Sequence, residues 1–181
     1  LKGKVVLITG AAGVRESIGE TILQALAKEG AIPAIVDRNA RGFGYAAELQ
    51  KIGIDASFFQ TDVTEPDQIK AAVEGIVEKY GRIDAVINNV GVNDGVGLDA
   101  SYEDFIHSLK LNLVSFYLVV KYALPHLKAS KGNILNIGSK VGLTGQGNTS
   151  GYAAAKGGVL GLTREWAVDL VKFGIRSNAI I

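Results

Sequence analysis

Tyr152 and Lys156 stand four positions apart in GYAAAKGG (151–158), an alanine-rich run expected to be helical. At that spacing both side chains leave the same face of a helix. A free phenol titrates near pKa ~10 and is a poor acid or base at neutral pH. A fixed ammonium beside it favours the phenolate, so the pair reads as proton-transfer equipment. Ser139, in NILNIGSK, follows a strand-like run, and its hydroxyl is suited to bind and polarise a substrate oxygen. Asn112, in LKLNLVSF, falls mid-helix, where an amide is a mediocre choice; its side chain would anchor a water that relays protons to Lys156. Singly, each of the four has an ordinary structural reading. Their order along the chain is what joins them.

A second set of residues suits a dinucleotide. The stretch TGAAGVRESIGE (9–20) joins a strand to a helix, with Gly10 at the strand end and Gly19 inside the opening helix. Gly10 permits a tight turn, and the small backbone lets a pyrophosphate approach the helix N-terminus, where N–H groups and the dipole favour anions. Ser17 stands where a middle glycine is usual, followed by Ile18. Asp37 ends the next strand in AIVDRN, where a carboxylate accepts from ribose hydroxyls and repels a 2′-phosphate, favouring NAD over NADP. Arg38 and Arg15 pull the other way, as groups that stack on adenine or pair with a phosphate. Asp62, beside Val63 in FFQTDVT, reads equally as a loop cap or as the acceptor for an adenine amino group. In INNVG, Asn88 and Asn89 are either turn formers or, with Gly91, a backbone that passes beside a ribose.

These groups must be carried by something regular. Six short β-branched runs, at 4–9, 32–37, 56–61, 83–88, 132–137 and 175–181, alternate with helical patterns at 17–30, 41–53, 65–81, 102–127 and 150–174. Alternating strands and helices, with strands apolar on both faces, predict a doubly wound parallel sheet in three α/β/α layers and a single domain over 1–181. In such a sheet ligands bind beyond the carboxyl ends of the strands, where all the residues above fall.

Composition narrows the class. The 181 residues are 48% hydrophobic and 20% charged, with 19 Lys plus Arg against 18 Asp plus Glu scattered along the chain. That describes a folded globular domain, with no electrostatic footprint for nucleic acid or a membrane surface. The absence of cysteine and the separation of His107 from His126 leave no metal-ligand set. Without a signal peptide or an apolar run of spanning length, a cytoplasmic location is expected.

With TG opening the phosphate loop, NNVG at 88–91, then Asn112, Ser139 and YAAAK, the chain resembles the short-chain dehydrogenase/reductase family over essentially all of its length. The resemblance implies Tyr152 as acid/base, Lys156 binding the nicotinamide ribose and assisting the phenol, Ser139 orienting the substrate oxygen, and Asn112 completing the relay. Val90 replaces a usual Ala, Gly138 a common Ser, and the long loop ending in SIG is similar to that of the enoyl reductases, although their Tyr and Lys are more widely spaced. Two polar loops, NDGVGLD (93–99) and TGQGNTSG (144–151), carry Asn93, Asp94, Gln146, Asn148 and Thr149, which are turn formers or contacts for a polyhydroxylated ligand. Here the chain resembles the sugar dehydrogenases of the family, particularly the L-fucose type, which implies oxidation of an aldose to a lactone. The alternatives are an NADPH-dependent carbonyl or 3-oxoacyl-thioester reductase and, from another class, a non-catalytic dinucleotide sensor. The family also implies a homotetramer or homodimer, with Phe116, Val120, Leu162 and Trp166 either at that interface or ordinary core, and continuation into a seventh strand and a substrate-covering segment, so the sequence is expected to be partial.

Overall fold

The computed structural model describes residues 1–14 and 16–181. Arg15, one of the two arginines weighed against Asp37, lies outside the described residues. Six strands form one sheet in the order β3-β2-β1-β4-β5-β6, and every neighbouring pair is parallel. They are β1 (Val5–Thr9), β2 (Ile32–Asp37), β3 (Ser57–Gln60), β4 (Ala85–Asn88), β5 (Asn133–Ile137) and β6 (Arg176–Ile180). All five residues of β1 are buried, as a central strand covered on both faces requires. The strand order reverses between β1 and β4, which opens a crevice beyond their carboxyl ends.

Helices α1 (Ile18–Lys28) and α2 (Arg41–Lys51) cover one face, over a core that includes Ile8, Leu23, Ile35 and Leu49. Helices α3 (Pro66–Tyr80), α5 (Ser115–Ser130) and α7 (Ser150–Asp169) cover the other, over Leu7, Ile76, Val86, Val119 and Trp166. Two of them carry sequence marks of their ends. Ser17 caps α1 by accepting the Glu20 N–H at 3.2 Å, Pro66 stands in the first turn of α3, and Gly81 ends α3 with φ 71°. Among the described residues no helix is long and apolar enough to cross a membrane.

Three differences from the sequence reading matter. The single helix expected over 102–127 is α4 (Tyr102–Leu109), a wide π-turn (Lys110–Val114) and α5, so Asn112 sits at a break in the regular ladder. A short helix, α6 (Val141–Thr144), occupies part of the loop expected between β5 and α7. Phe116, Val120 and Trp166 are buried within this chain and Leu162 packs against them, so these four are core and not an exposed interface face.

Candidate active site

The crevice at the switch point is a cavity of about 1140 Å3. Its walls come from the loops after β1, β2, β3, β4 and β5 and from the start of α7. Gly10 turns the chain out of β1 with φ 70°, and a Cβ there would stand 2.6 Å from the Val90 Cα, so only glycine fits. A Cβ on Gly19 would lie 2.5 Å from the Gly10 carbonyl oxygen, which means α1 is drawn against the loop as closely as backbone allows. With Ser17 capping the Glu20 N–H, Ile18 and Gly19 present the first N–H groups of α1 at the cavity wall. The substitution of serine for a middle glycine is therefore a helix cap.

Asp37 is 8% exposed and holds two backbone N–H groups, from Ala12 at 2.8 Å and Asn39 at 2.9 Å. It ties the phosphate loop to the end of β2 while each oxygen keeps a lone-pair direction for a further donor. Arg41, unmarked in the sequence reading, donates to the Gly13 carbonyl at 2.8 Å and closes the same end. Asp62 is a loop cap: it accepts from Thr64 N–H at 2.9 Å and Thr64 Oγ1 at 2.7 Å, and it also lines the cavity beside buried Val63. The Thr64 N–H bond is the main reason its carboxyl stays below the usual range.

Neither asparagine after β4 is a mere turn former. Asn88 is fully buried and donates to Asn136 Oδ1 at 2.9 Å; Asn136 in turn donates to Thr163 Oγ1 at 2.9 Å, which links β4, β5 and α7. Asn89 donates to the carbonyls of Thr9 and Gly10 at 3.1 and 2.8 Å, while Thr9 Oγ1 accepts the N–H groups of Asn89 and Val90. Thr9 was missed as a functional residue. Its signals were its place at the carboxyl end of β1 and its part in the TG that opens the loop. Gly91 follows at the cavity lip.

Tyr152 and Lys156 project from α7 into this cavity, and Ser139 lines it from the segment after β5. Lys156 is 2% exposed, donates to the Ile137 carbonyl at 2.7 Å, and lies 5.6 Å from the centroid of the Tyr152 ring. Burial pushes its pKa down from 10.5 to about 8. Ser139 Oγ accepts the Val141 N–H at 3.2 Å, which fixes the hydroxyl at the start of α6.

Asn112 departs from expectation. Its amide donates to Val92 O at 3.0 Å and Ser108 O at 3.1 Å, and its Oδ1 accepts the Val92 N–H at 2.9 Å. One amide proton and the Oδ1 thus clamp the loop after β4 while the other amide proton is held by α4, so the side chain is a clamp more than a water anchor. The expected substrate contacts also shift. Asn93, Asp94, Gln146 and Asn148 are exposed and stand outside the cavity lining. Asn93 Oδ1 accepts from Thr149 Oγ1, and Asn148 has φ 49°, so one bridges the two loops and the other forms a turn. Val90, Val92 and Leu111 line the wall where polar contacts were expected.

A parallel sheet whose switch-point crevice opens on a glycine-lined helix N-terminus is the architecture of a dinucleotide-binding protein. More specifically, the chain belongs to the short chain dehydrogenase family, whose model matches residues 4–181. It is 39% identical over 180 residues to an L-fucose dehydrogenase of Oryctolagus cuniculus, covering 98% of this chain and 61% of that protein. The chain therefore spans less than two thirds of the length of that relative. It is 36% identical over 183 residues to the 3-oxoacyl-[acyl-carrier-protein] reductase FabG of Thermotoga maritima, covering 99% of this chain and 73% of that protein. The crystal structure of an NAD+-bound xylitol dehydrogenase superposes with a TM-score of 0.91 at 31% identity, over 98% of this chain and 69% of the other.

Proposed function

We propose that the protein is an NAD-dependent oxidoreductase that moves hydride between an alcohol or sugar hydroxyl and nicotinamide, with an L-fucose-like aldose as the substrate. The observation that carries this reading is the buried Lys156 ammonium beside the Tyr152 ring at the lip of the switch-point cavity. The cofactor fits the residues present: Gly10 and Gly19 let the loop after β1, the start of α1 and the loop after β4 close to distances that no Cβ would allow, and these segments, the first turn of α1 and Asp37 line the cavity. When bound, the nicotinamide supplies the hydride acceptor.

This chain's own groups supply the rest. In the oxidative direction Tyr152 Oη takes the hydroxyl proton as the carbinol carbon loses hydride, and the carbonyl product forms with both electrons of the broken C–H bond gone. Ser139 Oγ holds the developing carbonyl oxygen. The Lys156 ammonium favours the phenolate and binds ribose hydroxyls. Asn112 acts through Val92, fixing the loop after β4 against which the cofactor would lie. Asp37 supports NAD, because a 2′-phosphate at its carboxylate would be repelled. Similarity to the L-fucose dehydrogenase supports the aldose.

A second reading has an observation in its favour. The apolar wall of Val90, Val92 and Leu111 suits a carbonyl or 3-oxoacyl-thioester substrate, and FabG is a relative at comparable identity. Absorbance at the reduced-nicotinamide band separates the two. Mixing the protein with NAD or NADP and a panel of aldoses, polyols and alcohols, beside a Tyr152→Phe control, is expected to show NAD reduction with L-fucose or a related aldose, lost in the control. Silence with every sugar, with oxidation of NADPH by a 3-oxoacyl thioester, would replace the sugar reading by the second.

A further inference from the structure

Lys156 is a buried cation without an acid. Among the described residues the ion pairs join Lys4 and Arg82 to Asp84, Lys70 to Glu74 and Lys79 to Asp55, and none includes Lys156. The groups around its Nζ come from β5, α7, the loop after β4, the π-turn and α5. From β5 the Ile137 carbonyl accepts at 2.7 Å, and from α7 itself the Tyr152 ring lies 5.6 Å away by its centroid. At Gly91, after β4, a Cβ would stand 3.3 Å from Nζ and 3.2 Å from Asn112 Oδ1, which brings that amide from the π-turn to the same spot. From the first turn of α5 comes Phe116, its ring centroid 5.0 Å from Nζ. No carboxylate is in the set.

Phe116 is 1% exposed, so its ring excludes water from its side of the ammonium. An aromatic face carries negative potential, and its attraction for a cation grows when both are desolvated. An ammonium has three protons to place. One goes to Ile137 O, and a ring face is the one strong electrostatic partner α5 offers. We propose that Phe116 is a positioning residue of this site: its ring stands in for a counter-ion, keeping Lys156 charged at neutral pH and directed between the Ile137 carbonyl and the Tyr152 ring. The proposal rests on the reading of Lys156 as part of a redox site. A leucine would fill the same space and leave the cation without that partner.

The test reads the ammonium itself. The full chain, labelled with 13C at lysine Cε, is titrated by NMR without cofactor, and the Lys156 signal is assigned by its loss in Lys156→Met. Phenylalanine at 116 is then replaced by mono-, tri- and pentafluorophenylalanine, which keep the ring's shape while draining its face of negative potential. The Lys156 midpoint is expected to fall stepwise, by about one pH unit across the series, since cation–π energies of desolvated pairs correspond to roughly that shift. Phe116→Leu is expected to match the pentafluoro variant. A midpoint that ignores fluorination overturns the proposal, and the series answers even if the leucine variant does not fold. Turnover is assayed separately: full activity in Lys156→Met would sink the redox role of this lysine, whereas the ring's effect is read from the resting protein.

Discussion

Lys156 and Asp37 each carry a measurable consequence at the residue scale. Burial lowers the Lys156 pKa from 10.5 to about 8, while the unfolded chain keeps the ordinary value. Between those limits the unfolded state binds the extra proton, so stability rises with pH; below pH 8 the full penalty of about 3 kcal/mol is present. Urea denaturation of the parent and Lys156→Met at pH 7 and pH 10 is therefore expected to show the gap moving in the parent's favour by about 2–3 kcal/mol. A gap that stays flat would mean that the ammonium is not desolvated. Asp37 accepts N–H bonds from Ala12 and Asn39. In Asp37→Ala the loop loses both anchors, and on the proposed NAD reading a 2′-phosphate would no longer meet a carboxylate. Steady-state kinetics should show the KM for NAD up by about 10- to 100-fold, as expected for lost bonds to a charged group, with NADP preferred relative to the parent.

Elements meet at this site through contacts that tolerate no extra atoms. A Cβ on Gly142 of α6 would lie 2.7 Å from the Lys156 carbonyl carbon and from the Gly157 nitrogen. Gly142→Ala must push α6 from α7, with a stability loss of about 1–3 kcal/mol from overpacking. Because Ser139 and Lys156 are on the two sides of that contact, kcat is expected to fall further than thermal stability alone would explain. Activity below the melting transition checks this. The π-turn makes the complementary prediction. Asn112→Ala would remove both bonds to Val92 and the bond to the buried Ser108 carbonyl, a loss of about 1–3 kcal/mol at the usual net worth of such bonds, readable as a lower urea midpoint. Asn112→Asp keeps the acceptor for Val92 N–H but no donor for its carbonyl, and should be intermediate.

For the whole molecule, a ligand seated where five loops converge must couple to global stability. NAD at 100 times its Kd should add about 2.7 kcal/mol, a rise in Tm of roughly 5–10 °C for a chain of this size. NADP at equal concentration should raise it less, and Gly10→Val, which would collide with the Val90 backbone and push the loop after β1 away from the loop after β4, should abolish the shift. The architecture behind this was legible early. All six strands, the parallel doubly wound arrangement and the Tyr152–Lys156 spacing could be read from the chain because they rest on short apolar β-branched runs, on period-3.6 patterning and on i to i+4 spacing, which are local. What the sequence could not declare were contacts whose partners are far apart along it. Thr9 meets Asn89 and Val90, Asp37 reaches back to Ala12, and Asn136 finds Thr163. The amides of the two polar loops looked like substrate contacts because composition does not say which way a loop turns; Asn93 turned to Thr149. Phe116 looked like an interface residue because an apolar side chain on a helix carries no mark of what it will face; packing set it against Lys156. The sequence by itself determined the six strands, their alternation with helices and the spacing that puts Tyr152 and Lys156 on one helix face, since each of these is written locally. Only the tertiary structure decided which polar groups are spent on holding the crevice open and which are left to face a ligand, because hydrogen bonds and ring contacts are satisfied by proximity in space and not by position along the chain.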